Sequence, residues 1–155
     1  MVVDDLTAFA ELLPSGTRLL GLDLGTRTIG LALSDPSRTV ATPLQTIRRT
    51  RFRADAERLI AVARENRVGG LVLGLPINMN ASEGPRAQAT RAFARNLASI
   101  TDVPIAFWDE RLSTVAAERV LLAADASRRR RAEVIDKVAA AYLLQGALDR
   151  IARLG

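Results

Sequence analysis

Three stretches of the 155-residue chain carry carboxylates where a fold would bury them or gather them at one edge. The first is Asp23 in LLGLDLG, residues 19–25. Strand alternation puts Leu20, Leu22 and Leu24 on one face and Leu19, Gly21, Asp23 and Gly25 on the other. A carboxylate inside an apolar strand is costly unless it is paired or bound to metal, and flanking glycines leave room for a ligand to approach. The plainer alternative is a strand-end aspartate capping the next turn. The second stretch is Asp109-Glu110-Arg111, directly after the apolar run VPIAFW (103–108), at the C-terminal edge where mixed α/β sheets keep their sites. Alternation makes Asp109 and Glu110 point apart, so at this level either acid could face a site, and Asp109 could also be a turn or cap residue. The third is Asp136, from which Ala139, Ala140, Leu143, Leu144 and Ala147 follow at offsets of three, four, seven, eight and eleven. That spacing sets Asp136 on the buried stripe of a helix, near its N-terminus, where an acid either reaches a metal or complements the helix dipole. Carboxylate oxygens are hard ligands suited to Mg²⁺ or Mn²⁺. Two such ions about 4 Å apart can activate a water and stabilise the leaving oxygen of a phosphodiester.

The elements that must position these acids follow from periodicity. Residues 4–13 have helical spacing and are ended by Pro14-Ser15-Gly16, which predicts a helical extension over 1–16. Segments 19–25 and 29–34 flank Thr26-Arg27-Thr28 and read as a hairpin, and a looser strand fits 39–47. A helix over 52–66 leads through Gly69-Gly70 into the buried strand 71–76; a second helix covers 85–99, before the strand 103–108. Two further helices, 114–124 and 132–151, are separated by Ser127 and the run Arg128–Arg131. The order β-β-β-α-β-α-β-α-α predicts an α/β fold: a mixed five-stranded sheet with helices on both faces, a single domain over 17–155.

Composition narrows the chemistry. With no histidine and no cysteine, serine-histidine triads, cysteine nucleophiles, thiolate zinc sites and disulfides are excluded, leaving carboxylates, hydroxyls and basic groups. The net charge is +5, and among 22 basic residues only Lys137 is lysine. Arginine grips phosphate bidentately and stacks on bases, so the bias suits nucleic acid, although a GC-rich genome would also produce it. An acidic N-terminus and the lack of any run of about 20 apolar residues predict a cytoplasmic protein with no membrane segment.

These blocks together resemble the YqgF/RuvX proteins over nearly all of residues 19–150. Gly21-Leu22-Asp23-Leu24-Gly25-Thr26-Arg27-Thr28-Ile29-Gly30-Leu31-Ala32 looks like the family's opening hairpin with its first catalytic aspartate. Gly74-Leu75-Pro76-Ile77-Asn78-Met79, running into Ser82-Glu83-Gly84-Pro85-Arg86-Ala87, is similar to its strand-to-helix loop. Asp109-Glu110-Arg111-Leu112-Ser113-Thr114 and Asp136-Lys137-Val138-Ala139-Ala140 resemble its two later acidic blocks. The resemblance implies a ribonuclease H-like fold, with Asp23, Glu110 and Asp136 as catalytic acids and ligands of two Mg²⁺ or Mn²⁺ ions. It also implies cleavage of RNA at the 5′ end of the 16S ribosomal RNA precursor, as a monomer or homodimer. Resolution of four-way DNA junctions is the alternative substrate, and a non-catalytic RNA-binding assembly factor the second alternative. Three positions depart from the family's pattern. Asn80-Ala81 replaces the usual Asp-Gly after Met79, Ser113 replaces a common threonine, and Thr28 stands where many members carry arginine.

Two basic features fit an RNA substrate. Arg128, Arg129, Arg130 and Arg131 could clamp a phosphate backbone ahead of the helix of Asp136, unless they form a solvated charge run. Arg111 could neutralise charge on the scissile phosphate or pair with a neighbouring acid. The Asp-x-Gly-Thr hairpin also resembles the phosphate-binding turn of sugar kinases and actin-like ATPases, but these enclose nucleotide between two such domains and this chain supplies one.

Overall fold

The computed structural model describes residues 1–112 and 128–154, with the side chains of the last helix described from residue 134. The elements run β1 (Val2–Val3), α1 (Leu6–Glu11), β2 (Arg18–Leu24), β3 (Thr28–Ser34), β4 (Ala41–Arg48), α2 (Phe52–Glu65), β5 (Val68–Leu75), α3 (Pro85–Ala98), β6 (Ile105–Asp109), a 3₁₀ turn (Glu110–Leu112) and α4 (Arg128–Leu154). The helix expected over 114–124 lies outside the described residues.

The sheet has the order β1-β6-β5-β2-β3-β4. Strands β2, β3 and β4 form an antiparallel meander, whereas β5 runs parallel to β2, and β6 and β1 continue the parallel half. The predicted α/β fold with a mixed sheet and helices on both faces is therefore observed, with one correction. The sheet has six strands, because Val2–Val3 pairs in parallel with Ile105 and Ala106 of β6. Two residues are too few for alternation to be visible in sequence.

Alternation divides the apolar residues between two cores. Leu20, Leu22, Ile29, Leu31, Leu71 and Leu73 face α2 and α3, which contribute Leu59, Phe93 and Leu97. Leu19, Ala32, Val72, Ala106 and Trp108 face α4, whose Ala139, Ala140, Leu143, Leu144 and Ala147 are all buried, together with Phe9 of α1. Each fully buried leucine in these layers contributes about 1.5–3 kcal/mol of transfer free energy. On the α4 side Trp108 lies against Gly146, where a Cβ would come within 2.9 Å of the indole ring.

Two boundaries differ from expectation. Gly69 and Gly70, expected to lead into a strand starting at residue 71, are themselves strand residues of β5. They lie beneath the N-terminal segment: a Cβ on Gly70 would meet Leu13 at 2.5 Å and Phe9 at 2.7 Å, and one on Gly69 would collide with Thr17. Helix α4 begins at Arg128, so the arginine run is its first turn rather than a separator.

Candidate active site

Glycines on the α4 side of the sheet let the acids converge. Asp23 is the penultimate residue of β2 and only 2% exposed. It pairs directly across the antiparallel ladder with Gly30 of β3, so the two residues share a face. A Cβ on Gly30 would collide with the carbonyl of Asp136 and stand 2.8 Å from the Lys137 nitrogen, so the backbone of α4 rests on the strand at this point. One turn on, Gly21 would bring a Cβ within 2.8 Å of Leu144 Cβ and 3.1 Å of the Ala140 carbonyl. The stripe read from sequence thus docks the helix against β2 and β3, and its half-buried Asp136 lies on Asp23's side of the sheet. The Thr28 hydroxyl at the start of β3 donates to Asp136 Oδ2, fixing that carboxylate to the hairpin.

Glu110 reaches the same face from the other side. Gly74 of β5 pairs with Trp108 of β6, and a Cβ on Gly74 would stand 2.6 Å from Glu110 Oε1 and 2.8 Å from Leu143 Cδ2. The Glu110 carboxylate therefore lies over Gly74, two residues after Val72, the partner of Gly21 in the neighbouring strand. Among the described residues no three carboxylates are drawn tightly enough to enclose a cation. The donor set nonetheless fits one: every donor is a hard oxygen, no histidine or thiolate competes, and Gly30 and Gly74 let the α4 backbone beside Asp136 and the Glu110 carboxylate approach the sheet.

Asp109 and Arg111 form a pair of their own. The Arg111 guanidinium donates to Asp109 through Nη2 at 2.6 Å and through Nε at 3.0 and 3.1 Å. That contact holds the Asp109 carboxyl below the usual carboxylate range and raises the guanidinium pKa. The pairing with a neighbouring acid expected for Arg111 is therefore present. Only the backbone of Arg128–Arg131 is described, as the start of α4.

Sequence reasoning did not assign a role to Arg86. It stands in the first turn of α3, directly after Pro85 at the helix start, and its Nη2 approaches the Leu24 carbonyl at 3.4 Å. With Glu110 and Arg111 it lines a groove of about 470 Å³ next to the Asn78–Ser82 loop. That loop is cross-braced. Asn78 N–H donates to the Ser82 carbonyl and Ala81 N–H to the Asn78 carbonyl, both at 2.9 Å, and Asn80 Oδ1 accepts from Ser82 Oγ at 2.6 Å. Ala81 sits at φ +71°, a left-handed conformation that costs an L-residue roughly 1–2 kcal/mol. Ala81→Gly should relieve this strain and, after the entropy glycine adds to the unfolded chain, raise stability by about 0.5–1 kcal/mol. A urea midpoint unchanged or lowered relative to the parent would contradict that account.

A family model described as RuvX, Holliday junction resolvase, matches residues 17–150. A protein of Paracoccus denitrificans named "Putative pre-16S rRNA nuclease" is 63% identical over 155 residues, covering 100% of this chain and 98% of that protein. A protein of the same name from Roseobacter denitrificans is 65% identical over 153 residues, covering 97% and 94%. Among solved structures, T. thermophilus RuvC in complex with Holliday junction substrate superposes with TM-score 0.56 at 15% identity, over 90% of this chain and 96% of that one. The yeast mitochondrial Holliday junction resolvase Ydc2 superposes with TM-score 0.52 at 11% identity, over 96% and 85%. At these identities the structural likeness shows the fold alone.

Proposed function

Because the chain belongs to the RuvX family, we propose that it is a metal-dependent nuclease that hydrolyses RNA phosphodiester bonds and trims the 5′ end of the 16S ribosomal RNA precursor in the cytoplasm. The observation that carries the chemistry is the buried Asp23 on the face of the sheet where glycines admit Glu110 and the helix of Asp136.

In this reading Asp23, Glu110 and Asp136 hold two Mg²⁺ or Mn²⁺ ions. A bound divalent cation supplies charge stabilisation for the phosphoryl oxygens and makes water more acidic. The carboxylates come from three elements, a strand, the turn after another strand and a helix. Strand β2 fixes Asp23 among buried leucines, where a carboxylate without compensation is expensive, so its position is defined by the sheet rather than by solvent. The Thr28 hydroxyl orients Asp136 while leaving its second oxygen for a ligand. No histidine or cysteine is present to titrate near neutrality, so proton transfer falls to water and the carboxylates themselves.

The test is cleavage of a 5′-extended 16S precursor RNA beside a synthetic four-way DNA junction, each with Mn²⁺ and with chelator. Metal-dependent trimming of the RNA is the expected result. Symmetric cutting of the junction with the RNA left intact would overturn the RNA assignment in favour of a resolvase. No cutting of either would leave a binding factor.

A further inference from the structure

The groove beside Glu110 has features that the hydrolytic reaction itself does not require. Its walls are largely apolar, from Pro76, Ile77, Met79 and Pro85, and it carries two guanidiniums, those of Arg86 and Arg111. Arg111 is already committed to Asp109. Arg86 makes no ion pair among the described residues, and its one polar contact is the Leu24 carbonyl, one residue past Asp23. A cation with no carboxylate partner among the described residues therefore stands at the end of the strand that carries the candidate metal ligand.

Met79 is the second anomaly. It is 88% exposed, the most exposed of the chain's large apolar side chains among the described residues, yet its loop is held by the hydrogen bonds across Asn78–Ser82. Exposure on a braced loop is not a by-product of slack backbone. It presents an apolar side chain in a fixed place, at the rim of a groove whose volume of about 470 Å³ falls in the ~300–1,000 Å³ range of small-ligand pockets.

Apolar walls, a guanidinium with no ion pair among the described residues and continuity with Glu110 together describe a nucleotide. Resting on the nuclease reading above, we propose that this groove seats one unpaired RNA nucleotide adjacent to the scissile bond, its base against Met79 and the proline and isoleucine walls, its phosphate on Arg86. A base can enter such a groove only if it is not stacked inside a helix. A-form duplexes keep their bases stacked and present a major groove too narrow to read, whereas single strands splay bases onto apolar and planar surfaces. Methionine is among the apolar side chains used to part base steps. The groove therefore selects single-stranded RNA, as a trimmed precursor end would supply, and disfavours continuous duplex.

Binding is measured by fluorescence anisotropy with the full chain in chelator, so that cleavage does not enter, using an end-labelled single-stranded RNA of about twelve nucleotides and a blunt duplex of the same sequence. The single strand should bind at least about tenfold tighter than the duplex. Arg86→Ala should weaken single-strand binding about tenfold and lower the salt slope by about 0.7, the value of one phosphate contact on a single strand. Arg86→Lys should recover part of the affinity, because the charge returns without the fork. Met79→Ala should weaken single-strand binding about threefold and leave duplex binding unchanged. With Mn²⁺ present, Arg86→Ala should raise KM more than it lowers kcat, which a merely structural defect would not do. Duplex bound as tightly as single strand, or single-strand affinity indifferent to both Arg86→Ala and Met79→Ala, overturns the proposal. Normal single-strand selectivity without any metal-dependent cleavage would overturn the nuclease reading and leave the nucleotide site standing.

Discussion

Asp23→Asn is expected to reduce metal-dependent RNA cleavage at least a thousandfold while the protein stays folded. The substitution keeps the shape of the side chain but removes the charge that would hold a divalent cation, and the charge stabilisation such an ion supplies is several kcal/mol. About 4 kcal/mol of lost transition-state stabilisation corresponds to a thousandfold in rate. The fold should be retained, because the asparagine keeps the shape of a side chain only 2% exposed in a buried strand. Single-turnover cleavage with Mn²⁺ and thermal melting on the same sample separate the two effects. A variant that retains more than a tenth of the parental rate would remove Asp23 from the metal site. A variant inactive because it melts tens of degrees lower would recast it as a structural residue.

The second large effect is expected at Gly30→Ala. One methyl group on β3 would collide with the Asp136 carbonyl, a backbone atom of α4 that cannot swing aside as a side-chain tip can. Either the helix lifts or the strand bends, and overpacking of this kind costs about 3 kcal/mol. The loss should appear as a lowered urea midpoint, and also as a fall in cleavage beyond what stability explains, because the displaced element carries Asp136. Gly84→Ala provides the contrast. There a Cβ meets only Asn78 Nδ2, at 3.5 Å, and φ is −83°, so stability should stay within about 0.5 kcal/mol of the parent. Equal unfolding midpoints for Gly30→Ala and the parent would be incompatible with a helix seated on Gly30.

What sequence could and could not reveal divides along physical lines. Asp23 and Asp136 stand out in the sequence because each sits within a periodic apolar pattern, which a strand or helix imposes locally, whereas Glu110 merely follows an apolar strand beside Asp109 and is singled out by the family resemblance. The partners of those acids were not legible. Nothing in the spacing of residues 28 and 136 says that the Thr28 hydroxyl meets the Asp136 carboxylate, since that contact depends on where α4 crosses the sheet. The glycines carried a mixed message. Gly69 and Gly70 read as leading into a strand starting at residue 71, whereas they belong to the strand and their lack of a side chain admits Leu13 and Phe9. Arg111 pairs with Asp109, a contact that a guanidinium two residues away reaches without help from the rest of the fold. Arg86 escaped notice because its distinction is its place in the groove beside Glu110, with its guanidinium on the Leu24 carbonyl, which only tertiary structure can reveal.

Trp108 is the chain's one tryptophan, and its ring lies on Gly146 of α4 while its own strand runs directly into Glu110. The indole thus bridges the strand that delivers one acid and the helix that delivers another. Its emission provides an unlabelled optical signal of helix docking, so a stopped-flow refolding trace can be compared with the regain of cleavage. The moment at which the two halves of the site meet becomes observable in the native sequence.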